Sequence, residues 1–243
     1  MSGSMTGAPR ADTLAASLTD LRADLAAGLS ALGLVLTEHQ QTQLLDYLAL
    51  IQKWTRVYNL TAVRDPAEML THHLLDSLAV VPALQRHLAS RAASGDAGEG
   101  RALPSRLLDV GSGAGLPGVV LAICCPSLSV DCVDTVAKKA TFIQQVAIAL
   151  KLPNLCGVHA RVETLVGPYD MVCSRAFASL VDFTRWSRQA LAPHGVWLAM
   201  KGKLPQEEQA LLPPEVQVFH VEQLQVPALA AERCLVWMRP RAV

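Results

Sequence analysis

Residues 107–118 constrain the fold of this chain more than any other stretch, because an apolar run ending in an acid is followed at once by spaced glycines. The run is typical of a buried parallel strand, and the glycines are typical of a tight turn that lets a ligand approach the main chain. A helix opening near Leu116 would direct its free N–H groups and positive dipole end into the same space. The next apolar run, residues 128–133, ends in Asp134, at about the spacing where nucleoside-binding folds place a ribose-binding carboxylate. The sequence therefore predicts a nucleoside-cofactor site.

The identity of that cofactor is open between two classes. Residues 113–118 satisfy the G-x-G-x-x-G dinucleotide fingerprint, so an NAD-dependent oxidoreductase is one alternative. Asp109, just before the first glycine, would repel a pyrophosphate but could face the amino group and sulfonium of S-adenosylmethionine. Residues 161–163 (Arg-Val-Glu) suit a main-chain and carboxylate contact with an adenine edge. These two features favour S-adenosylmethionine, whereas an interpretation of Asp109 and Glu163 as solvated loop acids needs no ligand.

The first part of the chain has helical periodicity. Leucines recur at helical spacing over residues 11–32, and Thr37 with Gln40 forms a capping-box pattern before a second apolar series. Residues 65–68 (Asp-Pro-Ala-Glu) mark a further helix start, and that helix is predicted to continue to Val81.

From residue 107 onward, predicted strands and helices alternate, which is typical of a parallel sheet covered by helices on both faces. The predicted strands lie near residues 107–110, 129–134, 155–160, 170–174 and 195–200. The predicted helices lie near residues 116–124, 137–151, 179–191 and 205–212. The last two apolar runs are too close for a crossover helix and are predicted to pair antiparallel, near 215–223 and 232–238. We therefore expect an α/β fold with a helical region (residues 1–90), a mobile connector (91–106) and a cofactor-binding domain (107–243).

Composition and charge exclude several function classes. His, Asp, Pro or Arg interrupts each apolar run, so no membrane span is expected, and no secretory leader is visible. The six cysteines include no C-x-x-C pair, which favours a reduced cytoplasmic protein without a metal site. The chain carries 21 basic and 21 acidic residues, and this neutrality counts against a general nucleic-acid binder. An enzyme acting on RNA would therefore need a local basic patch or a ribonucleoprotein partner.

Several blocks, in matching order over about residues 30–240, resemble the bacterial small-subunit rRNA guanine-N7 methyltransferase family (RsmG, also called GidB). The blocks are Trp54 with residues 58–66, then 73–77, 109–118, 161–163, 174–179, 201–202 and 224–227. The resemblance implies a class I (Rossmann-like) methyltransferase with a mixed seven-stranded sheet and an N-terminal helical extension. It also implies S-adenosylmethionine as cofactor and N7 of a guanine in 16S rRNA, that of the 530 loop, as acceptor. The expected partner is 16S rRNA or the small ribosomal subunit, and we expect a cytoplasmic monomer.

The candidate site residues come from the predicted strand ends and from the resemblance, which assigns cofactor contacts to Gly111, Leu116 and residues 162–163. The cofactor candidates are Asp109, Gly111, Gly113, Leu116, Asp134, Val162, Glu163 and Arg175. The RNA candidates are Asn59, Arg64, His73 (or His72), Arg175, Lys201 and Lys203. Phe177 could stack on an extruded base or belong to the core, and Trp54 and Tyr58 are expected to pack the helical part against the sheet.

No catalytic acid or base is assigned. Guanine N7 carries an outward-facing lone pair and no proton, so its methylation requires orientation and shielding rather than a general base. Residues 174–177 (Ser-Arg-Ala-Phe) differ from the Asn-Pro-Pro-aromatic loop of many exocyclic-amine methyltransferases, and Cys173 lies inside an apolar strand, where a buried role is expected. Methylation of a small molecule or protein, and a non-enzymatic ribosome-binding module, remain alternatives.

Overall fold

The computed structural model describes residues 11–93, 105–203 and 205–241, with side chains from Asp20 onward. Seven strands form one sheet with the order β3-β2-β1-β4-β5-β7-β6. The strands are β1 Arg106–Val110, β2 Ser129–Asp134, β3 Leu155–His159, β4 Tyr169–Arg175, β5 Leu191–Lys201, β6 Val216–Leu224 and β7 Arg233–Pro240. Strands β1 to β5 pair in parallel, and β7 runs antiparallel to both β5 and β6. This confirms the mixed seven-stranded sheet and its terminal antiparallel pair.

Helices cover both faces of the sheet, as predicted. They are α1 Ala11–Ala31, α2 Glu38–Tyr58, α3 Pro66–Met69, α4 Asp76–Leu78, α5 Val81–Ala93, α6 Gly118–Cys124, α7 Ala137–Ala149, α8 Leu180–Trp186 and α9 Gln206–Ala210. Side chains alternate across β1, so Leu107 faces the core under α2, α6 and α7, while Leu108 faces the core that contains Leu180 and Phe183 of α8. None of the helices within the described residues combines the length and apolar character that crossing a membrane requires.

The N-terminal helices belong to the same hydrophobic core as one face of the sheet. Three side chains of α2 bond across to that layer: Gln40 donates to the carbonyl of Ile123, Gln43 to that of Leu150, and Tyr47 to that of Ala114. The predicted capping box of Thr37 and Gln40 is present at the start of α2. Helix α2 is therefore a packed layer over α6 and α7.

The helix predicted from residue 65 to Val81 is interrupted. Asp65 caps α3 by accepting from the main-chain N–H groups of Ala67 and Glu68, as expected. Residues Leu70–Leu75 then form a π-helical turn before α4. Hydrophobic periodicity does not distinguish a wide turn from an α-helical one.

Two further boundaries differ from the predictions. Helix α5 continues to Ala93, and residues 94–104 of the predicted connector lie outside the described residues. Helix α8 ends at Trp186 rather than near residue 191. The Ser187 hydroxyl donates back to the carbonyl of Phe183, and strand β5 begins at Leu191.

Candidate active site at the carboxyl edge of the sheet

The parallel strands β1, β2, β4 and β5 end at one edge of the sheet, where doubly wound folds bind ligands. Two cavities open there and share Gly111 and Ala176 in their walls. The first, of about 320 Å³, is called here the Glu163 cavity, and its lining includes Gly111, Asp134, Val162, Glu163, Phe177 and Trp186. The second, of about 460 Å³, is called the Arg175 cavity, and its lining includes His73, Asp76, Gly113, Leu116, Arg175 and Arg233.

The turn after β1 forms the boundary between the two cavities. Gly111 has φ of +64° and donates its N–H to the carbonyl of Val133 at 2.9 Å. A Cβ at Gly111 would overlap the ring of Phe177, so glycine is required both by the left-handed backbone and by the close approach. The turn is thus a main-chain surface covered by one aromatic ring.

Asp134 lies at the end of β2 and lines the Glu163 cavity. One carboxylate oxygen accepts from the N–H of Gly113 at 3.1 Å and from Lys139 Nζ at 3.3 Å, and the other accepts from the N–H of Val136 at 2.9 Å. A carboxylate offers about four acceptor positions, so capacity remains for a hydroxyl group. Asp134 was predicted to lie at this edge of the sheet, and the structure places it there.

Val162 and Glu163 lie in a single 3₁₀ turn, Val162–Thr164, after β3 and line the same cavity. The side chain of Arg161 donates to Glu163 Oε1 at 2.8 Å. The N–H of Glu163 itself and the Arg161 guanidinium lower the pKa of the Glu163 carboxyl, so it stays ionised and can accept hydrogen bonds at neutral pH.

Asp109 was predicted to face the amino group and sulfonium of the cofactor, and the structure corrects this. Its carboxyl is fully buried and lines neither of these two cavities. Strand alternation directs Asp109 to the same face as Leu107, where it accepts the N–H of Gly118 at 2.9 Å and contacts the thiol of Cys173 at 3.7 Å. Burial raises the pKa of Asp109 to about 7. The residue therefore supports the start of α6 from beneath the turn.

Arg175, at the end of β4, belongs to an ion-pair network in the Arg175 cavity. Its guanidinium donates to Asp76 Oδ2 at 2.9 Å and to the carbonyl of His72 at 2.8 Å, while Arg233 Nε donates to Asp76 Oδ1 at 2.8 Å. Asp76 is buried and follows the π-helical turn directly. No pattern in the sequence predicts a role for Arg233. Asp76 enters the sequence analysis only as a member of the 73–77 block that carries the family resemblance.

The other RNA candidates fall into two groups. His73 and Lys201 line the Arg175 cavity, but both have partners: His73 Nε2 lies 2.9 Å from Thr61 Oγ1, and Lys201 donates to Glu208 at 2.8 Å. Burial lowers the pKa of His73, which is therefore neutral near pH 7.

Asn59, Arg64 and Lys203 are exposed and line neither cavity. Arg64 donates to Asn59 Oδ1 at 2.7 Å and to the carbonyl of Thr55 at 3.0 Å, which ties the loop after α2 to the end of that helix.

Comparison with known proteins settles the family. The family model described as "GidB: rRNA small subunit methyltransferase G" matches residues 40–236. The chain belongs to the GidB family. A Ribosomal RNA small subunit methyltransferase G of Acidovorax ebreus (strain TPSY) is 68% identical over 228 residues, covering 93% of this chain and 98% of the relative. A protein of the same name from Polaromonas sp. (strain JS666 / ATCC BAA-500) is 69% identical over 216 residues, covering 89% and 92%.

Among solved structures, TrmN from Thermus thermophilus is similar with a TM-score of 0.47 and 17% identity, over 57% of this chain and 44% of that one.

The GidB-family site fits S-adenosylmethionine. The two adjoining cavities, with a carboxylate at the end of β2 and a second acid in the 3₁₀ turn, match a ligand with a nucleoside at one end and an amino acid at the other. The hydroxyl of Ser112, in the wall of the Arg175 cavity, is buried and finds no hydrogen-bond partner within the described part of the chain. A polar ligand group would satisfy it.

At the same edge, the described residues supply neither a nucleophilic thiol at Cys173 nor a metal site. Burial raises the pKa of Cys173 well above its ordinary value, so this thiol is not a nucleophile at neutral pH. Among the described residues, no group of three or more His, Cys, Asp or Glu side chains is placed to hold a metal ion. Trp54 and Tyr58 were expected to pack the helical part against the sheet. Instead, the Trp54 ring contacts Phe142 of α7, with the ring centres 5.3 Å apart, and Tyr58 is 44% exposed.

Proposed function

We propose that this protein transfers a methyl group from S-adenosylmethionine to N7 of a guanine in small-subunit (16S) rRNA, and that the guanine is that of the 530 loop. The observation that carries the proposal is the pair of cavities meeting at Gly111 and Ala176, in a chain of the GidB family. Membership of a methyltransferase family gives no support to the NAD-dependent alternative. The names of the close relatives support rRNA as the substrate class.

The cofactor assignment rests on the lining of the Glu163 cavity and the turn. We assign Asp134 to the ribose hydroxyls, Val162 and Glu163 to the adenine edge, and Gly111, Gly113 and Leu116 to main-chain contact with the amino-acid part. When bound, the cofactor supplies an electrophilic methyl group on a sulfonium sulfur. The residues of the chain orient that group and exclude water from it.

The acceptor assignment rests on the charge of the Arg175 cavity, which we propose holds the guanine beside the amino-acid part of the cofactor. Arg175 and Arg233 share one carboxylate, Asp76, so the trio carries a net positive charge beside the turn. Guanidinium groups donate to guanine O6 and to phosphate oxygens, and we assign one or both to the extruded guanosine. Because N7 carries no proton, neutral His73 and ion-paired Asp76 need not act as bases.

Two further proposals concern the oligomeric state and the location of the protein. We propose that it acts as a monomer in the cytoplasm, on 16S rRNA within the assembling or assembled small subunit. Analytical ultracentrifugation of the active fraction tests the monomer: an active species of twice the chain mass of 26.0 kDa would contradict it.

A methyl-transfer assay tests the function. The protein is incubated with methyl-labelled cofactor and either free 16S rRNA or small subunits from a strain lacking the gene, and the labelled base is mapped by N7-specific strand cleavage. We expect one labelled guanine, and loss of label with Arg175→Ala but not with the exposed-arginine control Arg188→Ala. Label on a protein, on a small molecule or on another position of the base would refute the proposal.

A further inference from the structure

The charges of this neutral protein are distributed unevenly along the chain. Residues 47–64 and 135–162 contain no Asp or Glu, although each stretch lies between acidic residues. Together the two stretches carry seven cationic side chains: Lys53, Arg56, Arg64, Lys138, Lys139, Lys151 and Arg161. In a chain with 21 acidic residues, two stretches of this length without Asp or Glu indicate a local excess of positive charge.

The fold brings the two stretches together. The last turns of α2 pack on the first turns of α7, with the Trp54 and Phe142 rings at 5.3 Å. The ring of Tyr58, at the end of α2, lies 5.1 Å from that of Trp54, and Lys138 Nζ lies 5.3 Å from the centre of the Tyr58 ring. We call the exposed side chains of Lys53, Val57, Tyr58, Arg64, Val136 and Lys138 the α2–α7 surface.

The positive charge of the α2–α7 surface is not neutralised internally. Lys53 and Lys138 are exposed, and within the described residues neither forms an ion pair, whereas Lys139 pairs with Asp134. Arg64 bonds only to an amide and a carbonyl oxygen, and so keeps its charge unpaired in the described part of the chain. The surface is therefore a local basic patch on a chain whose overall charge is neutral.

Apolar and aromatic groups are exposed between these cations. The exposed fraction is 69% for Val57, 44% for Tyr58 and 44% for Val136. An aromatic face bordered by Lys and Arg is the combination on which unpaired bases stack while their phosphates are neutralised. An acidic protein partner would use the cations but has no particular need of the exposed Tyr58 ring.

The α2–α7 surface adjoins both cavities. Helix α7 begins three residues after Asp134, and the loop after α2 contributes Leu60 and Thr61 to the lining of the Arg175 cavity. A nucleotide chain with one base in the Arg175 cavity can therefore reach this surface.

We infer that the α2–α7 surface binds the RNA strand that flanks the modified guanine, with Lys53, Arg64 and Lys138 on phosphates and Tyr58 stacked on an unpaired base. This inference rests on the proposed function for the identity of the RNA. It assigns a strand-binding role to residues that lie outside both cavities.

The charge test uses the double variant Lys53→Gln/Lys138→Gln, with Lys151→Asn as the control. Lys151 is also exposed and belongs to the same acid-free stretch. It lies just beyond the far end of α7, roughly 20 Å from Lys138. We expect the double variant to raise the KM for RNA about tenfold or more with kcat and cofactor Kd unchanged, and to reduce the slope of log Kd against log salt by about 0.7 for each charge. The control should match the wild type.

The stacking test compares Tyr58→Ala with Tyr58→Phe. Loss of the ring should weaken binding of a single-stranded RNA oligonucleotide by about fivefold or more, and the phenylalanine should restore it. Equal RNA affinity and salt slope in all variants would overturn the inference. Reduced binding to assembled subunits with unchanged binding to the naked RNA would also overturn it, and would indicate an acidic protein partner instead. Because RNA binding is measured apart from methyl transfer, failure of the proposed activity would be recognised separately.

Discussion

The hydroxyl of Tyr47 in α2 donates a 2.6 Å hydrogen bond to the main-chain carbonyl of Ala114 in the glycine turn. Both groups are buried, and burial also raises the pKa of Tyr47, so the hydroxyl remains a donor. An N-terminal helix thus fixes the backbone that borders the Arg175 cavity.

Replacing that hydroxyl should weaken both the fold and the cofactor site. Tyr47→Phe leaves the carbonyl of Ala114 without its partner, and we expect a loss of about 1–2 kcal/mol in the free energy of unfolding together with weaker cofactor binding. Urea denaturation and titration calorimetry measure the two effects. Unchanged cofactor affinity at reduced stability would show that the turn keeps its shape without this bond.

A side chain at Gly111 should abolish cofactor binding. Gly111→Val combines a left-handed backbone, which costs a branched residue about 1–2 kcal/mol, with overlap on the Phe177 ring. Gly33→Val is the matched control, because Gly33 has a similar φ of +66°, no atom lies within 4 Å of its Cβ position, and it lines neither cavity. Calorimetry should show binding lost in the first variant and retained in the second. Equal loss in both would mean that a valine in a left-handed backbone destabilises the fold in general, and that the position of Gly111 in the site is not what removes binding.

Asp76 should be needed for the acceptor cavity. Asp76→Asn leaves Arg175 and Arg233 without a shared carboxylate, and we expect about 1.5–3 kcal/mol of lost stability and a marked fall in kcat/KM for RNA. Asp182→Asn, which removes an exposed pair with Arg185, should cost less than about 1 kcal/mol and leave activity intact. Wild-type activity in Asp76→Asn would refute the assignment of this cavity.

Asp109 should make stability depend on pH. Its folded pKa of about 7 lies above the ordinary value of 3.8, so the folded state binds the extra proton. The contribution of Asp109 to stability is therefore present in full below about pH 4, falls as pH rises, and is lost above about pH 7, a difference of about 4 kcal/mol. Asp109→Asn removes this dependence while its amide oxygen can still accept the N–H of Gly118.

Comparing the unfolding free energies of wild type and Asp109→Asn across that range cancels the titration of all other groups. We expect the variant to gain stability relative to the wild type as pH rises. A constant difference would place the pKa of Asp109 near its ordinary value.

Local pattern was enough to predict most of the fold. The alternation that starts at residue 107, the capping box of α2 and the cap at Asp65 all depend on neighbours in sequence, and each is present in the structure. The π-helical turn Leu70–Leu75 was missed because its apolar spacing also suits an α-helix. For Asp109 the signal was available, since strand alternation pairs it with Leu107, but proximity to the glycines was given more weight.

The site could be predicted only where its residues follow strand ends. Asp134, Val162, Glu163 and Arg175 line the cavities for that reason. The contact of Arg233 with Asp76 joins positions 157 residues apart, and one sequence contains no local signal for it. Likewise, the acid-free stretches could be read from the chain, but only the packing of α2 on α7 makes them one surface.

The contact between Phe177 and Trp186 has a practical consequence. The two rings meet edge to face at 5.9 Å, and both line the Glu163 cavity. Since the Phe177 ring lies against Gly111, at the boundary that the cofactor would span, we expect binding to alter the surroundings of the Trp186 indole. The chain therefore contains an intrinsic fluorophore, one of its four tryptophans, whose emission can report loading of the site in real time without any attached dye.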